Sequence, residues 1–266
     1  MATARNAYMR PPDGWGSTTV SCVIDPLWTQ RLYVPWDVSV SFYQRRWDVL
    51  ERFESAGLLH DHRVIDNRIA MRIGDTYHLV SFGDDYFDAS LLRPDTDASR
   101  IRDALTILFE ILQPSSLLRA SFDFQWLSGL KRSYDDARAS SAAGAFGDAG
   151  TTVADWAVNI DGKLDSLSAT YRAEFGIVSA VEAPPRLARA MSTFVAAPDP
   201  EVPPTIWPPG TLPEVAWFFD SRCRLTERIT EPSVDALFDL WSRARLPMSE
   251  VQASFKASFN LGAHDE

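Results

Sequence analysis

Cysteine is nearly absent from this chain. Cys22 and Cys223 are the two thiols in 266 residues, too few for a disulfide framework or a thiolate zinc cage. A reduced, cytoplasmic protein with both thiols as small core fillers is the economical expectation. Long apolar runs are missing as well: eighteen consecutive apolar residues occur nowhere, so no segment reads as a membrane-spanning helix. The opening residues, MATARNAYMRPPDGWGS, hold no apolar core of signal-peptide type, and export by that route is not expected. Lysine is scarce, 3 against 23 arginines, and acids outnumber bases 36 to 26 for a net charge of −10. That balance disfavours a diffuse grip on nucleic-acid phosphate and suits a basic protein partner, while a local arginine patch stays open. Catalytic signatures are lacking: there is no G-x-S-x-G elbow, no Walker loop and no G-x-G-x-x-G opening a helix.

What is present is the composition of a globular protein, 45% hydrophobic and 23% charged, in a chain long enough to bury a core without staples. Residues 17–25 alternate Val20, Cys22 and Ile24 at strand period. From Ser41, the residues Tyr43, Trp47, Leu50 and Phe53 recur at helical spacing, with Gly57 as a stop. HRVIDNRIAMRIGDTYHLVSFG reads as a hairpin turning near Gly74-Asp75, and DYFDASLL as a short strand. Asp97 is placed to cap a helix whose face is Ile101, Leu105, Leu108 and Leu112, ended by Pro114. LLRASFDFQWL alternates strictly, with Phe122, Phe124 and Trp126 on one side. Further on, Asp161-Gly162 predicts a tight hairpin turn. PEVAWFFDSRC predicts a buried strand, and a helix is expected from Pro232 through Val234, Leu237, Phe238 and Trp241. A last helix is expected to start at Ser249, with Gln252 completing a capping box.

DALTILF at 103–109 returns as DALFDLW at 235–241. Aligned without a gap, 86–109 and 218–241 share Phe87/Phe219, Asp88/Asp220, Asp103/Asp235, Ala104/Ala236, Leu105/Leu237 and Leu108/Leu240. Both copies read strand, turn, amphipathic helix. The expected fold is therefore α+β, in two pseudo-repeated, roughly ferredoxin-like (split β-α-β) units with mostly antiparallel sheet and helices on one face. The expected boundaries are an N-terminal extension at 1–16, a first repeat at 17–138, an Ala/Gly/Ser-rich linker at 139–150, and a second repeat at 151–266 carrying a Pro-rich insertion at 198–213.

The order of elements at 67–83, 86–112, 117–128, 214–221 and 232–260 resembles an uncharacterised, sporadically distributed prokaryotic family of about this length. The shared features are an apolar hairpin, a strand before an apolar helix, a mid-chain aromatic strand, a later acidic strand and a final Phe-rich helix. The resemblance implies a layout and no catalytic residue. Here SFDFQWL and FFD stand where that family carries a Gly-Leu-Arg-Tyr-type core and a pair of aspartates.

Candidate chemistry is thin. His60 and His62 in H-x-H spacing, with His78 from the next hairpin, are the candidate metal ligands. Asp84, Asp85 and Asp88 offer paired carboxylates, although Gly-Asp-Asp is also hairpin language. Asp88, repeated as Asp220, reads as a structural residue, since a catalytic site is seldom needed twice. Cys223 lies between Arg222 and Arg224, which would lower its pKa if the thiol were accessible. Phe122, Phe124 and Trp126 suit a core better than a stacking platform, because the strand lacks the cations that surround bound bases. Trp36, Trp47, Trp156 and Trp217 read as core or interface anchors. The segment PDPEVPPTIWPPGTLP, with Ile206 and Trp207 as anchors, is the best candidate contact surface. The function expected is a non-catalytic protein-interaction or assembly module, of a defence- or immunity-accessory kind, that binds a partner chain or itself without a cofactor. Nucleic acid and membrane are not expected partners. The alternative is a metal-dependent or small-molecule enzyme with a cleft between the halves.

Overall fold

A computed structural model describes residues 27–65, 67–74, 78–92, 98–139, 157–183, 186 and 212–258. Among these, nine strands form one antiparallel sheet in the order β2-β3-β4-β5-β1-β6-β9-β8-β7. The strands are β1 (Leu27–Pro35), β2 (Leu59–Ile65), β3 (Arg68–Ile73), β4 (His78–Gly83), β5 (Tyr86–Leu92), β6 (Ser121–Gly129), β7 (Ala157–Leu164), β8 (Ala169–Ser179) and β9 (Val215–Leu225). Three long helices accompany them, α1 (Ser39–Ser55), α2 (Ser99–Leu112) and α3 (Val234–Ser258), with a short helical stretch at 134–139. The protein is thus mixed α+β, and both halves contribute to a single sheet joined where β1 pairs with β6 and β6 with β9. No helix among the described residues is long and apolar enough to cross a membrane.

Period-two alternation gives the sheet two different faces. Residues directly opposite one another point the same way. The row Phe82, Phe87, Val34 and the row Phe175, Phe219, Trp126 therefore both lie on the face that carries the core. The helices cover that face. Phe42 of α1 meets the Phe82 ring at 5.8 Å, Phe109 of α2 meets Phe87 at 5.7 Å, and Phe255 of α3 meets Phe175 at 5.0 Å. Each fully buried ring of this kind contributes roughly 1.5–3 kcal/mol of transfer free energy, which is why the aromatic alternation of β6 was legible as core.

The structure departs from several sequence expectations, each for a local reason. The run 62–83 makes parts of three strands rather than one hairpin, because Asn67 breaks it once before Gly74 does so again. Strand β1 went unread, since Arg31 and Gln30 interrupt its apolar pattern. Val20, Cys22, Ile24, Asp97, Trp156, Ile206 and Trp207 lie outside the described residues. Gln113 closes α2 in the left-handed region, φ 50°, just before Pro114, and Gly57 does the same after α1 at φ 65°. Ser233 Oγ accepts from the Ala236 N–H at 3.1 Å and so caps α3. No new helix starts at Ser249. α3 runs on through Pro247, and Ser249 Oγ donates to the Arg245 carbonyl at 3.1 Å. Trp241, Ala244, Met248 and Phe255 form one buried stripe, and its packing outweighs the hydrogen bond that Pro247 removes.

Asp161-Gly162 is not a turn. Strand β7 passes straight through both residues, and the chain reverses at the 3₁₀ turn Asp165–Leu167 and at Ser168, φ 46°. Gly162 lies opposite Tyr171, and a Cβ there would overlap the phenol ring. The glycine is present because an aromatic ring lies against its backbone. Gly162→Ala is expected to lower the unfolding free energy by about 1–3 kcal/mol in urea titration, with most of that loss recovered in a Tyr171→Ser background.

Candidate functional site

Asp88 is built into the sheet. Its carboxylate, 6% exposed, accepts from Arg31 Nε at 3.0 Å, again from Arg31 Nη2, and from the Ser81 hydroxyl. One side chain thereby ties β5 to β1 and to β4. The aligned Asp220 lies between Gln125 of β6 and Glu174 of β8 in register. Around Asp88, Tyr33 and Tyr86 pack with ring centroids 5.0 Å apart, and Arg68 lies 4.8 Å over Tyr86. Burial, opposed by Arg68 and assisted by Asp88, pushes the Tyr86 phenol up to about 12. Asp84 and Asp85 form the β4–β5 connection. Asp84 accepts from Asn67 Nδ2 at 2.7 Å and from the Tyr43 hydroxyl at 3.3 Å, and the Asp85 carbonyl accepts from the Trp36 N–H at 2.9 Å. These acids serve the turn. Asp88→Ala would leave Arg31 and Ser81 without their shared acceptor in a low-dielectric site; a loss of about 3–5 kcal/mol is expected in chemical denaturation, against less than about 0.5 kcal/mol for the exposed His62→Ala.

The three histidines do not converge. His60 sits in the bulge between Leu59 and Asp61, exposed, as is His62, whereas His78 is 1% exposed and pairs with Ile73 on the far side of β3. Among the described residues no three His, Cys, Asp or Glu side chains group to hold a metal ion. Alternation also removes Cys223 from its arginines: it faces the core at 0% exposure, while Arg222 and Arg224 emerge on the opposite face. Burial first, then the Asp123 charge, pushes the thiol up to about 12 from 9.0. The folded thiol therefore keeps its proton where the unfolded one loses it. Stability from this group is complete below pH 9 and is lost as pH rises from 9 toward 12, at about 1.4 kcal/mol per pH unit. Unfolding titrations across that window are expected to show a shallower alkaline decline for Cys223→Ala than for the parent chain.

Helix α1 holds more apolar residues than one face can bury. Phe42, Val49, Leu50 and Phe53 go inward. Tyr43 and Trp47, expected from their spacing to share that inward face, are instead 53% and 50% exposed, and Val40 is 70% exposed. These three stand at i, i+3 and i+7, a single outward stripe. Arg46 lies between the two faces, 5.6 Å from the Tyr43 ring and 5.2 Å from the Trp47 ring. Asp37, Asp84 and Glu51 border the stripe with negative charge, Asp84 directly through Tyr43. The signal was present in the sequence as two overlapping stripes, of which only one could face the core. Trp36 and Trp217, by contrast, are 2% and 4% exposed.

The face of the sheet opposite the three long helices carries a buried apolar patch of Leu127, Val178, Ala216 and Phe218, and is otherwise largely polar. Across it run the ion pairs Arg31–Asp88, Arg222–Asp123 at 2.7 and 3.2 Å, and Arg186–Glu174 at 2.7 Å. Toward its β7 end a shallow cavity of about 590 Å³ is lined by Lys163, Thr170, Tyr171, Arg172, Arg222 and Arg224, with Asp161 and Gly162. No protein-family model matches this chain, and no curated protein matches it either.

Proposed function

We propose that this chain is a non-catalytic interaction module that docks a partner chain on the outer stripe of α1. The observation that carries the reading is the half-exposure of Trp47 and Tyr43 beside Arg46 on a rigid helix. Trp, Tyr and Arg dominate the energetic centres of protein interfaces, and an aromatic stripe on a helix is a known docking geometry. The acidic border and the net charge of −10 favour a partner that presents an apolar side chain framed by Arg or Lys. The fully buried Cys223 suits the reducing cytoplasm as the compartment.

The body behind that surface is read as two pseudo-repeats, each a strand, a connection, a meander and a helix, looser than a split β-α-β unit. The strand registers support this. Asp88 faces Tyr33 and Asp220 faces Gln125, each two positions beyond the Arg31–Asp123 pair where β1 meets β6. A local two-fold through that pair exchanges β1 with β6, β5 with β9 and β4 with β8, and it carries Leu32–Phe122 onto Gln30–Phe124.

A photo-crosslinking residue in place of Trp47, in cells making the protein, is expected to give one discrete adduct with a foreign chain, lost on Val40→Glu. The same probe in place of Leu246, 67% exposed on α3, is expected to give none. Equal adducts at both positions, or none at 47, would refute the docking surface. An adduct of twice the chain's mass would make the partner a second copy. Trp47→Ala is expected to leave stability within about 0.5 kcal/mol of the parent.

A further inference from the structure

On the open face, arginines are neutralised wherever the sheet supplies an acid, until the cavity is reached. Arg31 has Asp88, Arg186 has Glu174, and Arg222 has Asp123. The side chains of Arg172 and Arg224 make no hydrogen bond, ion pair or ring contact among the described residues. Both are exposed and both line the cavity. Arg172 stands directly opposite Arg222, and Arg224 directly opposite Thr170. Cross-strand neighbours have Cβ atoms about 5 Å apart and diagonal ones about 7–8 Å, and like charges so placed are destabilising. Asp161 faces Arg172 from β7 without closing an ion pair. With Lys163 included, four cations face Asp161, the already engaged Asp123 and Asp220, whose charge also acts on Arg222, a local excess of positive charge on a strongly acidic chain.

We propose that this cavity is a binding site for a small ligand carrying a phosphate dianion. Its volume of about 590 Å³ falls within the few hundred to about 1,000 Å³ usual for small-molecule sites. Arg172 and Arg224 are diagonal neighbours with planar donor forks, the geometry that receives a tetrahedral oxyanion from two sides. Arg222 is held flat by its bidentate pair with Asp123, and the Asp123 hydrogen bond raises its guanidinium pKa further. The ion pair thus fixes one wall of the site rather than competing for the ligand. Thr170 adds a hydroxyl. Tyr171, in register with the core-facing Cys223, turns its ring to the other side of the sheet, where it lies against Gly162 and leaves the cavity to the cations and Thr170. A dianion fits better than a monocarboxylate, because two unneutralised guanidinium groups converge on one cavity. This site is separate from α1 and does not depend on the docking surface proposed there.

The test is calorimetric titration of the full chain with inorganic phosphate and with phenyl phosphate in low-chloride buffer. Saturable binding of one equivalent is expected, tighter for phenyl phosphate. Arg172→Met and Arg224→Met are each expected to weaken it at least about tenfold, while Arg245→Met, on exposed α3 surface, leaves it unchanged. Arg224→Lys is expected to fall between. All three side chains are exposed, so unchanged thermal melts are the accompanying expectation. Absence of saturable binding of both probes up to about 10 mM, or an equal loss in Arg245→Met, would overturn the site. Binding of an oligonucleotide or anionic vesicle through Arg172 and Arg224 with neither small probe bound would also overturn it, in favour of a polyanion surface.

Discussion

The structure hangs on the antiparallel pairing of β1 with β6. Every other strand reaches the sheet through one of these two, β5 and its meander through β1, β9 and its meander through β6. Leu32, Val34, Phe122, Phe124 and Trp126 lie under this seam at 2% exposure or less, so the pairing sits over the densest part of the core. On the other face Arg31 and Asp123 stand opposite each other yet do not bond to each other. Each turns outward, Arg31 to Asp88 on β5 and Asp123 to Arg222 on β9. The charges at the seam thereby stitch each meander to its own central strand. Register is consequently fixed twice, since a one-residue slip would turn the aromatic stripe into solvent and separate both ion pairs. A buried pair of this kind contributes little net stability, but a misregistered one would cost several kcal/mol per unpaired charge.

Much of this was readable from periodicity, and the failures share a cause. Helices α1 and α2 and strands β5, β6 and β9 carry clear apolar repeats. The expectation failed where one residue served a tertiary neighbour rather than its local element. Gly162 looked like a turn because glycine after aspartate is turn language, but the ring of Tyr171 nine residues later determines its presence. Ser249 looked like a cap because Gln252 stands three residues on, but the stripe from Trp241 to Phe255 holds the helix continuous. Strand β1 was missed since a central strand whose outer face is stitched by Arg31 does not read as apolar. The histidine candidates rested on sequence proximity alone, and the sheet places His62 and His78 on opposite flanks of β3.

The candidate sites were less legible than the fold. Spacing identifies which residues can share a face; it does not say how much of that face the rest of the chain will cover. For α1, Tyr43, Trp47, Leu50 and Phe53 satisfy helical spacing as well as Phe42, Val49, Leu50 and Phe53 do. Only the position of Phe82 and the β4–β5 connection selects the second set and leaves Tyr43 and Trp47 of the first facing outward. The cationic cavity is harder still, because it joins Lys163, Arg172 and Arg224 from three strands, and their adjacency depends on registers that no local pattern encodes.

The two surfaces lie on opposite faces and toward opposite ends of the sheet, α1 against the β2–β4 side and the cavity on the open side at β7–β9. A partner on α1 and an anion in the cavity therefore compete for no residue. Any influence of one on the other has to cross the β1–β6 seam. That seam is poorly suited to transmit a graded shift. Its core face is close-packed and its outer face is locked by short-range ion pairs, so it either keeps its register or loses it. The net charge offers a second route, since anion binding would remove positive charge from an already acidic chain. The Debye length of about 8 Å at physiological ionic strength is shorter than the span of the several strands between the sites, each about 4.8 Å from the next. The physical expectation is a sheet that carries two sites and keeps them independent.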